Sequence, residues 1–387
     1  MKHARLLSLL VTFVLTIPAS LCLAQAPRPA RGPLPTRFRR VLSPEVHPDR
    51  SVTFRFHDPN AEKVVLSVEG SHHPTPMEKG ANGIWSVTIP PLAPEIYGYS
   101  FVADGVGLMD PSDHLIKPNL LNPQSMVLIP GESPMPWEIT DVPHGVVHHI
   151  YYQSGVVGDN RDFYVYTPPG YNPKVKGKYP VLYLLHGYSD DASGWTAVGR
   201  ANIILDNLIA QQKVKPMIVV MPLGYGAPEI VSPTGPGFRG RNLAEENMTK
   251  FRDALLTEVI PQVEKDFRVK TDRKDRAIAG LSMGGAESLF TGLNNLDKFA
   301  WVASFSAGGL SADYDKEFPS LDSSADSKLK LLWIACGTDD ALITPNRKFR
   351  AWLTSKGIHH TDIETPGMHE WPVWRGNLVA LTPLLFR

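Results

Sequence analysis

Cysteine is nearly absent from this chain. Two occur in 387 residues, and Cys22 sits in an apolar amino-terminal stretch. With that stretch removed, only Cys336 remains, which excludes an intramolecular disulfide and leaves core burial to hold the fold. An excess of either charge is missing too. Lys plus Arg and Asp plus Glu number 39 each, so the basic face that marks a nucleic-acid partner is not signalled. No His or Cys spacing suits a metal and no glycine-rich loop is set to cradle phosphate, so no cofactor is implied. Nor does any apolar run reach the ~20 residues needed to cross a bilayer. The run from Leu6 to Thr16 follows Lys2 and Arg5, is broken at Pro18, and leads to small residues around Cys22-Leu23-Ala24. Residues 1–24 therefore read as a cleaved export signal, and the mature protein as secreted or periplasmic with no membrane partner.

Proline and glycine, by contrast, are plentiful at 35 and 31 residues, a composition of loops and strands rather than long bundled helices. Residues 25–43 form a proline-rich leader. From 44 to 130, strand-like pieces follow one another at short intervals: Val52–Phe56, Val64–Val68, Ile84–Ile89 and Tyr97–Val102, separated by turn clusters at Asp58-Pro59-Asn60 and Lys79–Gly83. That spacing predicts a small β-sandwich. A linker covers 131–144. From 145 to 387 the pattern alternates. Buried-type strands are expected at Asp162–Thr167, Tyr179–Leu185, Met217–Pro222, Trp301–Phe305, Leu331–Ala335 and His360–Glu364, and helices at Ala201–Gln212, Asn247–Phe267, Asn346–Lys356 and Val373–Leu385. Alternation of this kind predicts a mostly parallel sheet covered on both faces, an α/β domain.

Ala277–Ala286 reads as a strand, a Gly280-Leu281-Ser282-Met283-Gly284 turn and a helix onset. This is the nucleophile elbow of an α/β-hydrolase, in which serine stands clear of the sheet on a strained turn. A serine hydroxyl needs a histidine to take its proton and a carboxylate to hold that imidazole's tautomer. The order Ser, acid, His selects Asp340, with Asp339 in reserve, and His369 over the entry-loop pair His359 and His360. His144, His148 and His149 precede the serine and take no catalytic part. The backbone N–H of Met283 and that of Tyr188, in Leu184-Leu185-His186-Gly187-Tyr188, are the expected oxyanion donors, with His186 bracing its loop. Cys336, at the end of an apolar strand, reads as a buried inert thiol. Tyr225, Phe238 and Trp374 are aromatic candidates for pocket walls.

At Tyr183–Gly187, Gly280–Gly285, Ala335–Asp340 and Gly367–Trp371 with Trp374, the catalytic half resembles carbohydrate esterase family one, which includes feruloyl and acetylxylan esterases. The resemblance implies Ser282 as nucleophile, Asp340 as acid and His369 as base. Where family members often carry a glycine and a glutamine, this chain has Ala286 and Glu287. A carboxylate at 287 facing the pocket would repel an anionic substrate. Residues 44–130, through the Trp85 strand, the Tyr97–Val102 strand and Asp104-Gly105 with Asp110-Pro111, resemble the immunoglobulin-like sandwich of the glycogen-binding and isoamylase type. Such a sandwich serves as a carbohydrate platform, as an active-site wall, or as a spacer with Trp85 in its core. The layout is also similar to enterochelin esterases and the fold to mycolyltransferases. The expected activity is hydrolysis of a polysaccharide-linked or small-molecule ester, with feruloyl or acetyl xylan first. Siderophore-ester hydrolysis, acyl transfer and glycan binding by an inactive hydrolase domain are the alternatives. The sequence carries no signal for oligomeric state.

Overall fold

A computed structural model describes residues 41–387 apart from 233 and 235–241. The export signal, most of the leader and Phe238 lie outside the described residues. Val41–Arg387 forms one compact unit.

Its first part is an all-β sandwich. One sheet pairs Glu45–Val46, Val52–His57, Ile84–Ile89 and Glu78–Lys79. The other pairs Thr75–Pro76, Val64–Val68, Glu95–Ala103, Gln124–Ile129 and Ile116–Lys117, with Val106–Leu108 beside Glu95–Ala103. All of these pairings are antiparallel. Alternating side chains meet between the sheets, with Phe54, Tyr99 and Phe101 fully buried. Trp85 is among them at 5 % exposure, and its indole N–H donates to the Asp58 carbonyl at 2.9 Å. It is a core residue, so a glycan platform built on Trp85 is excluded.

The second part is an eight-stranded sheet. Its strands are β1 (Val146–Gln153), β2 (Asn160–Thr167), β3 (Val181–Leu185), β4 (Ile218–Pro222), β5 (Arg276–Gly280), β6 (Trp301–Phe305), β7 (Leu331–Gly337) and β8 (Thr361–Thr365). They lie in the order β1-β2-β4-β3-β5-β6-β7-β8. The first two pairings are antiparallel and the rest parallel. Strands β3, β4, β5 and β6 are buried at every residue, as strands covered on both faces must be. Strand β1 was not foreseen. Its sequence, Val-Val-His-His-Ile-Tyr-Tyr-Gln, mixes apolar and polar residues that are exposed or half-buried, because an edge strand with one solvated face carries no apolar run.

The principal helices are α1 (Ala201–Ala210), α2 (Leu243–Ala254), α3 (Ser282–Asn294), α4 (Ile343–Ser355) and α5 (Trp371–Leu381). The single helix expected over Asn247–Phe267 is interrupted. A π-turn at Leu255–Val259 separates α2 from a short helix at Ile260–Asp266. Pro261 has no N–H to close an ordinary turn, and the wider turn accommodates that gap.

The two parts share a core. Ile96 and Met126 of the sandwich pack in one apolar cluster with Trp195, Trp371 and Leu378. Through that seam runs a buried ion pair, Arg375 Nε to Glu95 Oε1 at 2.9 Å, with the arginine 0 % exposed.

Candidate active site

Glycines make the elbow possible. A methyl group on Gly280 would stand 2.3 Å from the Gly284 carbonyl oxygen, and one on Gly284 would stand 2.3 Å from the His186 carbonyl oxygen. Strand β5 and helix α3 can meet this closely only without side chains there. Between them Ser282 adopts φ 52°, a left-handed conformation rare for a residue with a Cβ and a mark of stored strain. The turn leaves the serine hydroxyl standing above the carboxyl ends of the parallel strands, where an open α/β sheet places its site.

Two loops from later strands complete the line. His369, between β8 and α5, places Nε2 2.9 Å from Ser282 Oγ. Its Nδ1 lies 2.8 Å from Asp340 Oδ2. Asp340 follows β7, and its side chain is wholly buried. Burial pushes that carboxyl up. The hydrogen bond and charge of His369, the Ser306 hydroxyl and the Leu342 N–H together outweigh burial and hold it below the usual carboxylate range. Asp339, the reserve acid, is exposed and turned to Thr338. The structure thus brings Ser282, His369 and Asp340 into one hydrogen-bonded row and leaves Asp339 out. His359 is at the surface beside Asp326, and His360 is held to the Ile358 carbonyl.

The loop after β3 lies against the elbow. Leu281 N–H donates to the Leu185 carbonyl at 3.1 Å, and a Cβ on Gly187 would stand 3.3 Å from Ser282 Cβ. His186 is buried and braces this loop. Its Nδ1 lies 2.8 Å from the Gly187 carbonyl, and Gly224 N–H donates to its Nε2 at 2.9 Å. Burial pulls the imidazole down to about 4, so near neutral pH it is the uncharged Nδ1–H tautomer that these two partners require. Tyr188 packs with Met283, Tyr225 and Ile230. Cys336 is buried, and burial pushes its thiol up to about 12.

A cleft of about 150 Å³ holds Ser282 and His369, with Gly187, Tyr188 and Asp190 on one side and Trp371 and Trp374 on another. Trp374 sets its ring edge against His369 at 4.9 Å, and its indole N–H donates to Ser306 Oγ at 3.2 Å. It lines the cleft as expected. Two expected pocket residues do not. Tyr225 is 2 % exposed and donates its hydroxyl to the Asp190 carbonyl at 2.7 Å. Glu287 is 0 % exposed on the inner face of α3, accepting from Asn247 at 2.8 Å. Burial raises its carboxyl far above the usual range. It faces the core and not the cleft, so the repulsion of anionic substrates expected from it does not arise.

Sequence reasoning missed several groups at the site. Ser306 carries φ 50° just past β6 and touches both Asp340 and Trp374. Its place at a parallel strand's carboxyl end was the available signal. Glu69, Lys117 and Asn119, which line the cleft, come from the sandwich, and nothing local marks them. A larger hollow of about 540 Å³ opens between α2 and α3 at Met248, Arg252 and Phe290 and holds none of the triad. Among the described residues, no group of three or more His, Cys, Asp and Glu could hold a metal ion.

The esterase family profile matches residues 154–385, and the profile of carbohydrate-binding module 48, the isoamylase N-terminal domain, matches residues 42–119. An endo-1,4-beta-xylanase/feruloyl esterase of Xylanibacter ruminicola is 31 % identical over 354 residues, covering 89 % of this chain and 46 % of that protein. The chain therefore spans about half the length of this curated relative. A solved ferulic acid esterase of the CE1 group from Anaeromyces mucronatus shares the fold at TM-score 0.57 and 24 % identity, over 66 % of this chain and 96 % of that one. The enterobactin esterase of Shigella flexneri shares it at TM-score 0.63 and 18 % identity, over 86 % of this chain and 92 % of that one. With an elbow serine inside the matched region and a sandwich of the module-48 type ahead of it, the chain belongs to the esterase family.

Proposed function

We propose that the protein is an exported serine esterase that removes feruloyl or acetyl groups from plant cell-wall xylan. The observation that carries the reading is the row Ser282 Oγ, His369 Nε2, Asp340 Oδ2, at 2.9 and 2.8 Å. Ser282 attacks the ester carbonyl as His369 Nε2 takes its proton, and Asp340 holds the Nδ1–H tautomer and stabilises the imidazolium. The oxyanion is held by the N–H groups of Met283 and Tyr188. In support, the Gly187 carbonyl is engaged by His186 and by the Tyr225 hydroxyl at 3.4 Å. Across a trans peptide the Tyr188 N–H points the opposite way. His369 then gives its proton to the departing alcohol oxygen, leaving an acyl-enzyme. Water, deprotonated by the same imidazole, attacks the acyl carbon and releases the acid.

The xylan direction is supported by the Xylanibacter relative, whose name joins xylanase and feruloyl esterase. Siderophore-ester hydrolysis is supported by the shared two-part layout of the enterobactin esterase. The cleft charges weigh against that second reading. Lys117 is the one cation lining the cleft among the described residues, and Glu69 and Asp190 stand with it, a poor setting for several catecholates. The test runs methyl ferulate, acetylated xylan and a cyclic catecholate triester side by side, with Ser282→Ala as the blank. Turnover of either of the first two, abolished in the variant, supports the proposal. Turnover of the third alone moves the protein to siderophore release.

A further inference from the structure

Part of the cleft wall belongs to the sandwich. Glu69, Lys117 and Asn119 share the cleft with Ser282, His369, Trp371 and Trp374, and they are fastened there. Leu120 N–H donates to the Ser189 carbonyl at 2.7 Å, and Asn119 Nδ2 donates to Ser189 Oγ at 2.9 Å and Asp190 Oδ1 at 3.2 Å. Trp371 N–H, two residues past His369, reaches Glu69 Oε1 at 3.3 Å. The proposed proton transfer from His369 Nε2 to the departing oxygen puts the alcohol half of the ester beside His369, whose loop this wall holds through Trp371.

The hydrogen bonds of the wall separate its three polar groups. Both oxygens of Glu69 are taken: Oε1 accepts from Lys117 Nζ at 3.0 Å and from Trp371, and Oε2 accepts from Gly98 N–H at 2.7 Å. Burial pushes its carboxyl up, but the charges of Lys117 and Arg375 and the Gly98 N–H outweigh burial and hold it down. Asn119 is saturated. Its amide nitrogen serves Ser189 and Asp190, and its oxygen accepts from Leu121 and Asn122 N–H at 3.1 and 2.9 Å. Lys117 differs. An ammonium carries three donors, and this one gives one to Glu69. Two N–H groups remain on a side chain that is 12 % exposed and borders the cleft. Flanking carboxyls offset its charge, so it attracts an anion weakly while its donors still suit neutral oxygens.

We propose that Lys117 is a specificity-determining residue supplied by the sandwich, donating to hydroxyl oxygens of a neutral sugar on the alcohol side of the scissile ester. The inference rests on the esterase reading above. On this view the sandwich acts as part of the catalytic cleft rather than as a separate glycan platform.

The full chain without its signal is assayed on two ferulate esters that differ only in the alcohol, methanol and an arabinofuranosyl xylo-oligosaccharide. Lys117→Met is expected to lower the ratio of kcat/KM for the sugar ester over the methyl ester about tenfold, mainly through KM, as loss of a charge-assisted donor should. Lys117→Arg, which keeps donors, recovers part of that ratio and carries the test should the methionine variant melt early. An unchanged ratio, whether both rates fall together or neither does, overturns the proposal. Inactivity of the parent protein on both esters would sink the xylan-esterase reading instead. Calorimetric binding of the free arabinoxylo-oligosaccharide then decides: weaker binding to Lys117→Met than to the parent supports the role, and equal or absent binding refutes it.

Discussion

Gly284→Ala tests whether the elbow and the loop above it work as one device. The added methyl would stand 2.3 Å from the His186 carbonyl oxygen, 2.7 Å from Leu185 Cβ and 2.8 Å from the Leu185 carbonyl carbon. Ordinary contact begins at 3.4 Å, so something must yield by about 1.1 Å. Two of these atoms are main chain and cannot rotate aside, and β3 is gripped by β4 and β5 on both edges. The segment free to move is His186–Tyr188, which carries a proposed oxyanion donor. A misplacement near 1 Å costs about 10²-fold in rate, and loss of one oxyanion donor about 10²- to 10³-fold. The expected result is kcat down by about 10²–10³ with KM little changed, and a stability loss of about 1–3 kcal/mol from overpacking. Single-turnover acylation with an activated ester reads the first, and denaturant unfolding the second. Gly376→Ala is the control, since a methyl there meets nothing within 4 Å. A folded Gly284→Ala protein with kcat within threefold of the parent refutes the reasoning.

Asp340→Asn should lower kcat by about 10⁴-fold by presenting His369 with the wrong partner for its Nδ1–H. Asp339→Asn, exposed and outside the row, should change it less than twofold in the same steady-state assay. Arg375→Met should cost about 3–5 kcal/mol, because it strands the buried Glu95 carboxylate and frees the Ile96 and Val198 carbonyls. Adding Glu95→Gln should recover part of that in urea unfolding, and no recovery would contradict the pairing. Acid stability follows from His186. Its folded value is pulled down to about 4 from 6.5, so below 6.5 the unfolded chain binds the proton first. Stability falls as the pH drops from 6.5 to 4, by about 3 kcal/mol for this group. His186→Gln should flatten that limb of the stability–pH curve, whatever its effect at pH 7.

How much of this was open to the sequence differs by element. The α/β sheet declared itself because strands buried on both faces must be apolar at every position, as Val181–Leu185 and Ile218–Val220 are. The elbow declared itself because close packing of β5 on α3 admits only glycine at 280 and 284. The fold and the elbow therefore lay in local pattern. Asp340 and His369 were picked out by chain order and by loops after strands, and the structure seats both in one row with Ser282. Edge strand β1 escaped because its residues come in like pairs, Val-Val, His-His and Tyr-Tyr, and so show no strict alternation. Position along the chain does not say which way a side chain turns. Glu287 and Tyr225, assigned to the pocket from sequence, both face the core, where the Asn247 amide engages one and the Asp190 carbonyl takes up the other. Least legible was the sandwich's part in the cleft. Glu69 lies 302 positions from Trp371, and no rule of spacing joins them. That contact exists because Arg375, Glu95 and a shared apolar seam dock one domain on the other, and docking is decided only by surfaces that form once both parts have folded.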